Sequence, residues 1–182
     1  MRKGGHNRAV DEEPQARLKE VMRLFPQGVT VVTTEADRGP MGITVSSFIS
    51  VSLDPPLVLV SLARGSNLYE PFIRARSFAV NFLAEDQKSI SDLFAGKVDA
   101  KERFGGLKFH RGISGSPIID GVCAAIECKV WRVYQGGDHS IIIGEVMKAS
   151  VMNGGRPLVY YAQRYTTIRE PELPATASGI IG

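Results

Sequence analysis

The chain has 182 residues, 43% of them hydrophobic and 23% charged, with a formal net charge of +3. That length buries one full core and is short for two ordinary domains. The small charge without a Lys/Arg block argues against a nucleic-acid surface, and no apolar run is long enough for a signal core or a membrane span.

Residues 1–15 are expected to form a flexible leader, 16–168 one folded domain and 169–182 a loose tail. Leu18, Val21, Met22 and Leu24 recur at helical spacing before Pro26, which predicts a short amphipathic helix. Gly28–Thr34 is an expected strand, turned by Asp37-Arg38-Gly39-Pro40 into a second strand to make a hairpin. That second strand is predicted to run unbroken from Ile43 to Leu53 and to stop at Asp54-Pro55-Pro56. Leu57–Leu62 is a third strand, apolar apart from Ser61. Asn67 with Glu70 forms a capping box for a helix ending near Ala75. Ser77–Leu83 is a fourth strand, and Asp86 is the expected cap of a helix closed by Gly96. Residues 97–121 read as loop, with a basic cluster of Lys97, Lys101, Arg103 and Lys108. Val122–Tyr134 and Ser140–Val151 are long strands joined across Gly136-Gly137-Asp138. Pro157–Tyr161 and Tyr165–Ile168 supply a final helix or strand pair.

Six or seven strands with short turns and few helices predict a mainly β protein, an antiparallel split β-barrel with short peripheral helices. No G-x-G-x-x-G or P-loop occurs, so a bound phosphate would be held by hydroxyls, backbone N–H groups and basic side chains.

Alternation along Ile43–Leu53 places Ile43, Val45, Ser47, Ile49, Val51 and Leu53 on one face and Thr44, Ser46, Phe48, Ser50 and Ser52 on the other. Unpaired hydroxyls are costly to bury, so the second face requires water, a neighbouring strand or a polar ligand. His139 opens a strand after Gly-Gly-Asp, so its ring is expected at a barrel rim, where a histidine is structural more often than catalytic. The basic cluster is either a solvated loop or a phosphate clamp. Cys123 and Cys128 fall in one expected strand on opposite faces and do not pair; as buried free thiols they fit a reducing, cytoplasmic setting. No Ser-His-Asp order, metal spacing or carboxylate pair supports hydrolysis or metal catalysis.

Several stretches taken in order resemble the short-chain flavin reductases, the reductase components of two-component flavin-dependent monooxygenases with an FMN-binding split-barrel fold. They are Phe25-Pro-Gln-Gly-Val-Thr-Val-Val-Thr-Thr34, Gly42-Ile-Thr-Val-Ser-Ser-Phe48, Ser50-Val-Ser-Leu-Asp-Pro-Pro56, Ser77-Phe-Ala-Val-Asn-Phe-Leu83, Gly137-Asp-His-Ser-Ile-Ile-Ile-Gly-Glu-Val146 and Pro157-Leu-Val-Tyr-Tyr161. The resemblance implies a flavin lying across the barrel surface at a homodimer interface. Thr44, Ser46 and Ser47, with Val45 and Ser50 beside them, would then meet the ribityl chain and phosphate. Ser61, Leu62, Ala63 and Asn67 would line the ring or phosphate side, and Asn81 and Phe82 would approach the ring. Lys101 and Arg103 would stand near the phosphate, Tyr165 would help shape the pocket, and His139 would be the catalytic group facing the nicotinamide. Ser46 and Ser47 cannot both face one side of a regular strand, so either a bulge re-aims one or one acts through its backbone N–H.

The implied activity is hydride transfer from NADH or NADPH to FMN or FAD, with reduced flavin passed to a separate flavin-dependent monooxygenase. Such chemistry asks the protein to hold the reacting atoms about 3–3.5 Å apart and needs no strong general acid. Exchange of the flavin suits a micromolar affinity, about −8 kcal/mol. The alternatives are a flavoprotein that keeps FMN for another acceptor and a non-enzymatic flavin sensor or carrier.

Overall fold

The computed structural model describes residues 14–66, 68–96, 102–152 and 155–169. Asn67, Lys97 and Lys101, all named above, lie outside the described residues, as do residues 1–13 of the expected leader and 170–182 of the expected tail. The elements are α1 (Pro14–Arg23), β1 (Gln27–Gly28), β2 (Thr30–Ala36), β3 (Gly39–Val45), β4 (Ile49–Leu53), β5 (Pro56–Ala63), α2 (Tyr69–Ala75), β6 (Ser77–Phe82), α3 (Lys88–Ala95), a 3-10 turn (Glu102–Phe104), β7 (Phe109–Arg111), β8 (Pro117–Ile119), β9 (Ala124–Gly136), β10 (His139–Val151), β11 (Leu158–Tyr161) and β12 (Arg164–Thr167).

Seven strands form the main antiparallel sheet in the order β3-β2-β6-β9-β10-β5-β4, flanked by β1-β11-β12 and by the β7-β8 hairpin. The mainly β, antiparallel expectation therefore holds. The unbroken strand over 43–53 does not: it splits into β3 and β4, which occupy opposite edges of the sheet. Laid flat, seven strands would separate those edges by about 29 Å. The four peptide units from Val45 to Ile49 can span no more than about 14 Å. The sheet is therefore rolled, with residues 46–48 stepping across the gap. No ladder joins β3 to β4, so the barrel stays open along this seam.

Inside the roll, Val32, Val58, Val60, Leu62, Phe72, Phe78, Val80, Cys128 and Ile142 form a buried cluster, with Ile43, Val45 and Phe48 packed against it. Gly144 serves this core by being small, since a Cβ there would fall 2.5 Å from the Phe78 ring. The cluster also holds the Cys128 thiol, which burial pushes up to about 12. A second cluster, including Val29, Val31, Leu83, Phe94, Phe104, Ile119 and Leu158, packs α3, the 3-10 turn and β11 on the outside of β2.

Other boundaries differ for local reasons. Gln87, not Asp86, is the N-cap residue of α3, and its amide accepts the Ala84 N–H and donates to the Asp120 carbonyl. Cys123 precedes β9, and the last segment is a strand pair. Part of the stretch expected as loop folds as the 3-10 turn and the β7-β8 hairpin.

Candidate functional site

The seam resolves the alternation conflict between Ser46 and Ser47. Ile43 and Val45 pack into the core, whereas Ile49, Val51 and Leu53 are exposed, so alternation relative to the core inverts across the link. Thr30, on β2, donates its hydroxyl to the Val45 carbonyl at 2.8 Å. Two residues on, the Ser47 hydroxyl donates to the Ser61 carbonyl and accepts the Ser61 N–H, both at 3.0 Å. Ser46 alone lies between these anchors, and it is exposed. Among the described residues the backbone N–H groups of Ser46 and Ser47 have no backbone partner. Phe48 follows with its ring edge-on to Phe82, centroids 4.9 Å apart, below the link.

On one side of the link, β5 and β10 pair His139 with Ala63 and Ile141 with Ser61. Leu62, Ser140 and Ile142 between them are buried, so His139, Ile141, Ser61 and Ala63 share the outward face. This arrangement puts His139 and Ser61 on one face, while Leu62 points into the core. Ser50, at the β4 edge, is exposed.

The His139 ring is anchored by its neighbour. Asp138 Oδ1 lies 2.7 Å from His139 Nδ1. That contact, followed by the charge of the ring, holds the Asp138 carboxyl below the usual carboxylate range. An ionised carboxylate only accepts, so Nδ1 carries the proton and Nε2 is turned away from it. The turn itself is tied to β5: the Arg64 N–H donates to the Asp138 carbonyl at 3.0 Å, and the Arg64 guanidinium donates to the Gly137 carbonyl. Gly137, with φ +63°, provides the left-handed conformation the turn requires. Behind it, the Tyr69 phenol and the Ser140 hydroxyl sit 2.8 Å apart.

On the other side of the link, Thr44 donates its hydroxyl to the Ser91 carbonyl at 2.7 Å. Tyr165 donates to Asp92 Oδ1 at 2.8 Å and lies 3.0 Å from the Ser91 hydroxyl, with burial pushing its phenol up. Thr44 and Tyr165 thus converge on α3.

Two expected ligand contacts are fully committed elsewhere. Asn81 is completely buried; its amide donates to the Val31 carbonyl at 3.1 Å and to the Thr33 hydroxyl at 3.0 Å, and accepts the Ile119 N–H at 2.8 Å. Arg103 is buried in the 3-10 turn, where its guanidinium donates to the carbonyls of Gly42, Phe94 and Gly96. Both brace the fold. Asp138 and Arg64 were missed as partners of the histidine turn, although Asp138 stands in the Gly-Asp-His motif itself. Ser91 and Asp92 had no local signal, because long-range packing alone brings them to Thr44 and Tyr165.

Ser46 is exposed and Ser61, Ala63, His139 and Ile141 face outward beside it, forming the candidate shelf. Two clefts of about 310 and 330 Å³ are lined by other residues, the first by the β7 region with Glu127 and Lys148, the second by α1 with Tyr160 and Tyr161. These shelf residues could hold a flavin: the link's backbone N–H groups and the Ser46 hydroxyl suit a phosphate, Ala63 and Ile141 suit a flat ring, and His139 keeps Nε2 apart from its Asp138 contact.

The model of the family described as flavin reductase like domain matches residues 22–169. The actinorhodin polyketide dimerase of Streptomyces coelicolor is 41% identical over 156 residues, covering 85% of this chain and 86% of that protein. The reductase component of the flavin-dependent trigonelline monooxygenase of Acinetobacter baylyi is 44% identical over 151 residues, covering 82% of this chain and 48% of its own length. This chain thus spans about half of that relative. Among solved structures, the NADH:FAD oxidoreductase SgcE6 of Streptomyces globisporus C-1027, in complex with NAD and FAD fragments, superposes with a TM-score of 0.82 at 34% identity, covering 90% of this chain and 98% of that one.

Proposed function

The chain belongs to the flavin reductase like domain family, and we propose that it is an NAD(P)H-dependent flavin reductase that hands reduced FMN or FAD to a separate monooxygenase. The observation that carries this reading is the shared outward face. His139, Ala63 and Ser61 stand in register there, beside a link whose Ser46 and Ser47 N–H groups have no backbone partner among the described residues.

In this reading Ser46 and the amides of the link hold the flavin phosphate, Thr44 and Tyr165 bound the ribityl side, and Ala63 and Ile141 support the ring. When bound, the flavin supplies the hydride acceptor. The protein supplies position: β5 and β10 form a rigid platform, and holding two rings in a reactive geometry accounts for much of the acceleration. Asp138 keeps the His139 proton on Nδ1, so Nε2 is the atom available to the nicotinamide carboxamide. The shelf's neutral hydroxyls and amides favour release of the product flavin over permanent retention.

A second copy of the chain would close the open side of the shelf. Ile49, Val51 and Leu53, along the edge strand β4, are exposed apolar side chains that such a partner would cover. A cytoplasmic setting is supported by the two free cysteines, Cys123 and Cys128. No helix among the described residues is long and apolar enough to cross a membrane.

A steady-state assay crossing NADH and NADPH with FMN, FAD and riboflavin tests the activity. Purified protein should oxidise the nicotinamide only when free flavin is added. Protein isolated with tightly held flavin that turns over without added flavin would instead support a prosthetic role, and flavin binding with no turnover would support a sensor or carrier.

A further inference from the structure

We infer that Ser47 is a positioning residue of the shelf: its hydroxyl stands in for a missing strand-to-strand bond pair across the open seam and so sets the distance from the Ser46 link to His139. The inference rests on the flavin reading above. The register of β4 on β5 pairs Ile49 with Leu59. Continued by two residues, it would place Ser47 opposite Ser61, where the two backbones of a regular ladder would exchange N–H···O bonds. The Ser47 side chain makes both bonds instead, donating to the Ser61 carbonyl and accepting its N–H. The Ser47 main chain is thereby released from β5 and can turn toward β3, which Thr30 holds at Val45.

The outcome is a junction tied at both ends with one free residue between. Ser61 lies two residues from Ala63, about 6.6 Å along the strand, and Ala63 pairs with His139. Ser46, at the phosphate end, and His139, at the nicotinamide end, are thus indexed to the same strand through one hydroxyl. A hydroxyl with its proton on one group and a lone pair on another is poorly placed to serve a phosphate as well. That separates Ser47 from Ser46, which is next to it in sequence, of the same type, and free of such duty.

Backbone amide exchange at Ser61, followed by NMR, reads the junction directly and needs no flavin. In wild-type protein the Ser61 amide should be protected, and adding FMN should leave it unchanged or slow it further. Ser47→Ala should speed its exchange by about tenfold or more, the equivalent of one lost hydrogen bond. It should also weaken FMN binding by about tenfold, while Ser47→Thr keeps both properties. If Ser47→Ala does not fold, Ser47→Cys, a weaker donor and acceptor of similar shape, takes its place. The inference stands if flavin affinity follows Ser61 protection across the variants. It is overturned if protection is lost with affinity intact, if affinity is lost with protection intact, or if FMN speeds Ser61 exchange in the wild type, which would mean that the hydroxyl leaves for the ligand. Failure of the flavin reading would look different: wild-type protein with a protected Ser61 and no flavin binding.

Discussion

Two polar regions of this molecule use similar residues to opposite ends. Around Asn81, in the interior, the amide, the Thr33 hydroxyl and the carbonyls of Val31 and Pro117 satisfy one another with no solvent. Around Ser46 and His139, on the outward face, one hydroxyl, two backbone N–H groups and a ring nitrogen have capacity left over among the described residues. The first region is bound by the cost of leaving a buried polar group unpaired. The second is solvated, pays no such cost, and can exchange water for a ligand. Valency to spare, rather than polarity, separates the residues of the proposed site from the structural ones.

Substitutions can break this contrast. The largest effect should come from Asn81→Ala, which strands the Ile119 N–H and removes two donors; a loss of about 3 kcal/mol of stability is expected in chemical denaturation. Flavin affinity of the remaining folded protein should be unchanged, and a selective loss of affinity at wild-type stability would place Asn81 back at the ligand. Next is His139→Ala, for which stopped-flow flavin reduction should slow about 30-fold with flavin affinity kept within about threefold. An equal loss in both would make the ring a flavin anchor. The smallest is Ser46→Ala, expected to weaken flavin binding about fivefold by calorimetry with no change in melting temperature, because its hydroxyl braces nothing. A fall in melting temperature would put Ser46 in the structural class with Ser47.

Much of the fold was legible because its signals are local. The turn at Gly136-Gly137-Asp138, the β2–β3 hairpin and the proline stop after β4 each depend on a few adjacent residues, and each lies where turn chemistry puts it. The seam was not legible. Alternation runs smoothly from Ile43 to Leu53, and only pairing with two different strands, β2 before the link and β5 after it, inverts which face is buried. The same limit applies to the site. His139 stands out because a turn and a motif mark it, and Ser46 because it stands in a row of hydroxyls; both remain candidates of the proposed site. Asn81 and Arg103 carry equally suggestive side chains, yet burial assigns them to bracing, and burial is set by residues distant in the chain. Arg103 shows this well: its carbonyl partners come from β3 and from both ends of the stretch that closes α3.

The step at Ser46 has a mechanical consequence. Followed through hydrogen bonds, the path from β3 to β4 passes through five intervening strands; followed along the covalent chain, it is three residues long. The sheet is thus a hoop with one buckle. An extra residue at the buckle would slacken the closure between β3 and β4, whereas an extra residue at the exposed β2–β3 tip, Asp37-Arg38, would lengthen only a hairpin end. Tolerance to insertion in this chain therefore depends on what a loop holds in place, and not only on how exposed it is.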